Sequence, residues 1–107
     1  MNTLLVAAIA AQTATRTLSV YGDEFVGRTM ANGQRFYQHL HTCATNDWKL
    51  GTRLRITHKG KSIVVTVADR MAKWFSGKRI DLPRDRWREL EAKPDGLHVG
   101  AKVEVVK

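Results

Sequence analysis

The run Ile63-Val64-Val65-Thr66-Val67-Ala68 constrains this chain more than any other segment, because it is apolar on both of its alternating sides. A strand with only one apolar face can lie on a core and show its other face to water. A strand apolar on both faces has to sit inside a closed or double-layered sheet. Just upstream, Arg53-Leu54-Arg55-Ile56-Thr57 alternates polar and apolar residues, and Lys59-Gly60 turns the chain back into Lys61-Ser62-Ile63, which predicts a β-hairpin. Asp69 shares parity with Ile63, Val65 and Val67. If the strand continues that far, a carboxylate points inward at the mouth of the sheet, where it needs a partner or a purpose.

Other elements are short. Thr17-Leu18-Ser19-Val20-Tyr21-Gly22 reads as a first strand, and Asn32-Gly33 marks a surface loop because both residues tolerate positive φ. A helix is predicted from about Leu82 to Ala92, with Trp87, Leu90 and Glu91 at helical spacing and a turn at Pro94-Asp95-Gly96. Val99, Ala101, Val103 and Val105 then alternate with polar residues in a final strand. Short strands with one short helix in a chain of 107 residues predict one domain, a small β-barrel, with no repeat and no linker.

Two acids carry the chemistry. Asp69 ends the long apolar strand, and Asp81 lies between Ile80 and Leu82 at the start of the helix-like stretch. A carboxylate at the end of a buried element is suited to general acid or base work, since partial desolvation raises the pKa of such groups. Structural roles fit the same residues: Asp81 can cap the helix, and Asp69 can pair with Arg70 or close a turn through its own side chain.

The single cysteine, Cys43, excludes an intramolecular disulfide and reads as a core residue. His39 and His41 would share one side of a strand, but the four histidines do not cluster at ligand spacing, so neither metal nor cofactor is expected. The formal net charge is +8, and no charged side chain occurs before Arg16. So basic a domain favours polyanionic partners: nucleic acid, anionic lipid, or a bacterial wall with its carboxylates and phosphate polymers. The opening run Met1 to Ala14 is too short to span a bilayer, and Ala8-Ile9-Ala10 fits a small-x-small cleavage pattern, although a leading Lys or Arg is missing. The chain is therefore divided into an incomplete signal or leader at 1–16 and a domain at 17–107, monomeric, without a membrane span and destined for an extracytoplasmic compartment.

The ordered segments Ser19-Val20-Tyr21-Gly22, Gly27-Arg28, Thr29-Met30-Ala31-Asn32-Gly33-Gln34-Arg35-Phe36, Leu50-Gly51-Thr52-Arg53-Leu54-Arg55-Ile56, Val65-Thr66-Val67-Ala68-Asp69-Arg70 and Arg79-Ile80-Asp81-Leu82 resemble the RlpA-like (rare lipoprotein A) double-psi β-barrel family. The resemblance runs from about Leu18 to Lys107. It implies a mainly β fold, a six-stranded double-psi barrel with one or two short helices and a groove across one face, shared with expansins and with the barrel of membrane-bound lytic transglycosylases. Peptidoglycan or another wall polysaccharide is the implied partner. The implied reaction is non-hydrolytic cleavage, in which an acid protonates the glycosidic oxygen and the muramyl 6-hydroxyl closes a 1,6-anhydro ring.

Residue by residue, Asp69 matches the aspartate of the family's Asn-Asp-Arg-Gly-Pro motif and Asp81 that of its Ile-Asp-Leu-Ser motif, the two implied catalytic positions. Tyr21, Asn32, Gln34, Thr45, Arg70 and Trp74 are the implied substrate-binding set, with Tyr21, Trp74 and Phe75 as candidates to stack on sugar faces. Departures are specific. Gln34 stands where enzymatic members carry glutamate, Thr45 where they carry histidine, and Met71-Ala72 replaces Gly-Pro. Pro83 replaces the serine that caps the helix, which implies that Asp81 supplies the cap. Losing a charged neighbour weakens the enzymatic reading and leaves the glycan groove intact. The expected function is wall binding with transglycosylase-type cleavage through Asp69 as an open question. The alternatives are a non-catalytic expansin-like or inhibitor module and, ranked lower, a nucleic-acid-binding module with Lys59, Lys61, Lys73, Lys78, Arg79, Arg84, Arg86 and Arg88 on one face.

Overall fold

The computed structural model describes residues 13–93 and 98–107. Six strands form a closed barrel: β1 (Thr13–Val20), β2 (Thr42–Ala44), β3 (Arg53–His58), β4 (Lys61–Asp69), β5 (Arg79–Leu82) and β6 (Val99–Val105). Around the barrel they run β1-β5-β2-β4-β3-β6. The β1/β5 and β2/β4 pairs are parallel and the others antiparallel, so the sheet is mixed. Closure removes the exposed edge that an open sheet would leave.

The predicted hairpin is β3 and β4, in register from Arg53↔Thr66 to His58↔Lys61. Its turn needs two left-handed residues in succession, supplied by Lys59 at φ 48° and Gly60 at φ 80°. Ile63, Val65 and Val67 meet Leu54 and Ile56, Leu18, Ile80, Leu82 and Val103 in one core, all buried. The final strand alternates as expected, with Val99, Ala101 and Val103 inward and Gly100 and Lys102 outward.

Several expectations need correction. Strand β1 starts at Thr13, and Thr13 to Arg16 pair with Glu104 to Ala101, so four residues assigned to the leader are part of the barrel in this structure. Residues 1–12, which hold the cleavage-like pattern, and the Pro94-Asp95-Gly96 turn lie outside the described residues. The helix, α1 (Arg84–Glu89), is shorter than predicted. Pro83 precedes it with an extended ψ of 150°, and Glu91, expected on a helical face, has a left-handed φ of 51° beyond its end. Trp87 is buried in the core, only 3% exposed, and its indole N–H donates to the Lys93 carbonyl at 2.8 Å. His39 and His41 precede β2 in turns rather than sharing a strand. The Arg86 guanidinium rests 2.6 Å from His41 Nδ1. Cys43 is buried on β2, and burial pushes its thiol up to about 12.

Between β1 and β2 the chain makes a long excursion that folds onto a second, smaller cluster of Tyr21, Met30, Phe36, Ala44 and Ala68, with Leu40 and Met71 against it. Within it, Thr29 bridges Arg35, and Gly33 takes φ 92° at the Asn32-Gly33 bend. The bend is pinned to the barrel, since the Asn32 amide donates to the Ala68 carbonyl at 3.0 Å.

Candidate functional site

Strand register builds the site. On β2, Ala44 pairs with Asp69 of β4 on one side and with Asp81 of β5 on the other, and Asp81 in turn faces Ser19 of β1. Ser19, Asp81, Ala44 and Asp69 thus form one rank across four neighbouring strands. Two inter-strand steps separate the backbones of the two aspartates by about 10 Å. The small Ala44 between them leaves a floor, and both carboxylates open into a groove of about 330 Å³. Tyr21, Phe25, Arg70, Met71, Ala72, Phe75 and Arg79 supply its walls.

Asp69 is held by three donors. Its Oδ1 accepts the amides of Ala31 and Arg70, each at 2.9 Å, and its Oδ2 accepts the Tyr21 hydroxyl. Tyr21 is fixed in turn by stacking on Phe36, ring centroids 4.1 Å apart. Burial first, then the hydrogen bond and charge of Asp69, push the Tyr21 phenol far above its ordinary value, so it remains a donor throughout the working pH range. A carboxylate has about four acceptor positions, so Asp69 keeps room on Oδ2 for one further donor.

Asp81 does not cap the helix, because it lies inside β5 and lines the groove. There its Oδ1 accepts from the Ser19 hydroxyl and, at 3.0 Å, from Arg79 Nε. Gln38 provides the cap from the β1–β2 excursion: its Oε1 accepts the Arg84 amide at 2.7 Å and its carbonyl accepts the Asp85 amide at 3.2 Å.

The structure brings Asp69, Asp81, Tyr21 and Arg70 together at the groove. Asn32 and Gln34 are exposed at the neighbouring bend, where Asn32 Nδ2 donates to Gln34 Oε1 at 3.0 Å. Trp74 is 73% exposed on the 3-10 turn Lys73–Phe75, beside the groove wall rather than in it, with the Lys78 ammonium 3.6 Å from its ring centre. Thr45 offers no side-chain surface: it is fully buried, and its hydroxyl accepts the Asp47 amide at 3.2 Å. Its carbonyl is used instead, by Arg70 Nη1 at 2.8 Å. Arg70 consequently reaches away from Asp69 rather than pairing with it.

Ser19, Phe25, Arg79, Asn46 and Asp47 were missed as parts of the site. Asn46 donates to the Ala72 carbonyl at 3.2 Å and accepts the Met71 amide at 3.0 Å, while Asp47 accepts the Gly77 amide at 2.8 Å, so this pair braces the loop that forms one wall. The adjacent polar residues directly after β2 were the available signal. For Ser19 the signal was absent, because its contact with Asp81 spans 62 positions. Aromatic walls are faced by guanidinium groups: Arg79 lies 4.0 Å from the Phe75 ring centre and Arg28 5.6 Å from that of Phe25.

Half of the eight basic residues of the nucleic-acid alternative are held in ion pairs. Arg79 pairs with Asp81, Arg84 with Asp23, Arg86 with Glu89 and Lys61 with Glu91. Among the described residues no cluster of His, Cys, Asp and Glu could hold a metal ion. No described helix is long and apolar enough to cross a membrane.

Comparison with known proteins agrees with this architecture. No protein-family model matches the chain. An uncharacterized protein of Synechocystis sp. is 43% identical over 77 residues, a match covering 70% of this chain and 80% of that protein. A second Synechocystis protein, named probable endolytic peptidoglycan transglycosylase RlpA, is 37% identical over 81 residues, covering 74% of this chain. The chain belongs to the RlpA-like double-psi β-barrel family. It is thus a barrel domain related to peptidoglycan transglycosylases, and it spans only 25% of the length of that second relative. Among solved structures, the Streptomyces papain inhibitor superposes with a TM-score of 0.66 over 90% of this chain and 96% of its own. At 20% identity that likeness shows the shared fold.

Proposed function

We propose that this RlpA-like barrel is an exported wall module that binds the glycan of peptidoglycan, or a related wall polysaccharide, along the groove between Phe25 and Phe75. The observation that carries the reading is the rank in which Asp69 and Asp81 flank Ala44 on the groove floor. Carboxylates so placed accept hydrogen bonds from sugar hydroxyls, and the apolar walls cover the C–H faces of the rings. Relatives named as peptidoglycan transglycosylases support the choice of polysaccharide.

Binding ranks above cleavage. Asp69 already accepts from Tyr21, Ala31 and Arg70, and Gln34 at the adjacent bend is an amide that cannot trade protons. Cleavage through Asp69 is the second reading, favoured by its place in the groove lining with one acceptor position left over. In that reaction Asp69 protonates the glycosidic oxygen, the muramyl 6-hydroxyl attacks the anomeric carbon as the glycosidic bond breaks, and the proton of that hydroxyl returns to Asp69, so no water is consumed.

Incubation with purified sacculi tests both readings. Binding predicts that the protein sediments with the wall and resists moderate salt, since hydrogen bonds and apolar contacts survive screening over about 8–10 Å. Complete release by moderate salt, with tight salt-sensitive binding to DNA, would replace this proposal with the nucleic-acid module. Anhydromuropeptides detected by mass spectrometry and abolished by Asp69→Asn would establish cleavage; the proposed ranking expects little or none.

A further inference from the structure

Two arginines line the groove, and their guanidinium groups are in unlike states. Arg79 is neutralised, because its Nε donates to Asp81 Oδ1 at 3.0 Å and its plane rests on Phe75. Arg70 is exposed, and no carboxylate forms an ion pair with it among the described residues. It is nevertheless held firmly: Nη1 donates to the carbonyls of Thr45 at 2.8 Å and Trp48 at 2.6 Å. Both N–H groups of Nη1 are thereby used. Those of Nε and Nη2 have no partner among the described residues, and together they form the parallel fork that matches the two oxygens of a carboxylate.

We infer that Arg70 is a carboxylate receptor, which makes this groove selective for glycan strands that carry carboxylate groups over uncharged strands of the same sugars. The inference rests on the wall-glycan reading above and adds the charge class of the ligand. Orientation by two backbone carbonyls means that the fork is set before the ligand arrives, so little side-chain entropy remains to be lost on binding. The floor sharpens the choice. Asp69, whose donors are all neutral, repels a carboxylate placed over Ala44, so the acidic substituent is directed to the Arg70 wall while neutral hydroxyls lie over the floor. In peptidoglycan that substituent is either the lactyl carboxylate of a strand stripped of peptide or a carboxylate of the stem peptide.

Equilibrium binding of the full chain to three soluble preparations decides it: peptide-bearing strands, strands stripped by an amidase, and stripped strands whose carboxylates have been converted to amides. Wild type should bind stripped strands roughly tenfold more tightly than amidated ones, the effect of one charge-assisted fork. Tight binding only with stem peptides present would assign the receptor to the peptide carboxylate. Arg70→Gln should bind stripped and amidated strands alike, at the wild-type affinity for the amidated form. Arg70→Lys, which keeps the charge and can still reach the two carbonyls, should retain part of the preference. Equal wild-type binding to all three preparations would overturn the inference and leave the glycan groove standing. Binding to none of them would overturn both. Loss of amidated-strand binding by Arg70→Gln and Arg70→Lys alike would show that Arg70 only braces the loop, again overturning the inference.

Discussion

Asp69 and Tyr21 form the tightest chemical unit of the groove, and each makes the other testable. Removing the phenol by Tyr21→Phe leaves the ring stacked on Phe36 but takes a charge-assisted hydrogen bond from a part-buried carboxylate. The expected cost is about 1.5–3 kcal/mol in urea unfolding. That cost should depend on pH with a defined sign. The folded phenol holds its proton far more strongly than the unfolded one, whose ordinary value is 10.0, so the stabilisation is complete below pH 10 and declines as pH rises above it. The stability gap between wild type and Tyr21→Phe should narrow above pH 10, and a gap that stays constant or widens there would contradict this assignment. Asp69→Asn preserves shape while weakening the acceptor, and binding to glycan strands should fall roughly tenfold in a titration.

At the scale of elements, α1 is capped from across the chain, so Gln38→Ala should cost about 1 kcal/mol and speed amide exchange at Arg84, while Asp85 keeps its bond to the residue 38 carbonyl. Asp81→Asn should leave those two amides unchanged, because its contacts are with Ser19 and Arg79. The hairpin and the last strand were legible because periodicity and turn chemistry act locally. Strand β5 was not, since Arg79-Ile80-Asp81-Leu82 runs straight into Pro83 and a helix and is too short to show its own period. Strand β2 has only three residues, and β1 begins among small uncharged residues that read equally well as a leader. Asp69 and Asp81 could be picked out as polar interruptions of apolar segments. Their shared rank, and the buried position of Thr45, depend on barrel closure, which no local pattern encodes.

For the molecule as a whole, closure puts a β2 thiol in the centre of the core, so Cys43 should resist alkylation in the native state and react only on global unfolding, which mass spectrometry after a thiol-reagent pulse would show. The same closure leaves two ligand-facing possibilities on opposite character of surface: the acid-floored groove, and the outer face of β3 and β6, where Arg53, Arg55 and Lys102 are exposed. The central claim is that wall glycan occupies the first. Titrating isotope-labelled protein with soluble amidase-treated peptidoglycan strands, and following backbone amide shifts, tests it most directly. The account predicts shifts concentrated at Ala44, at Asp69 to Phe75 and at Arg79 to Asp81, with Arg53, Arg55 and Lys102 unmoved. Shifts centred on Arg53, Arg55 and Lys102 with the groove silent, or no shifts at all, would contradict it.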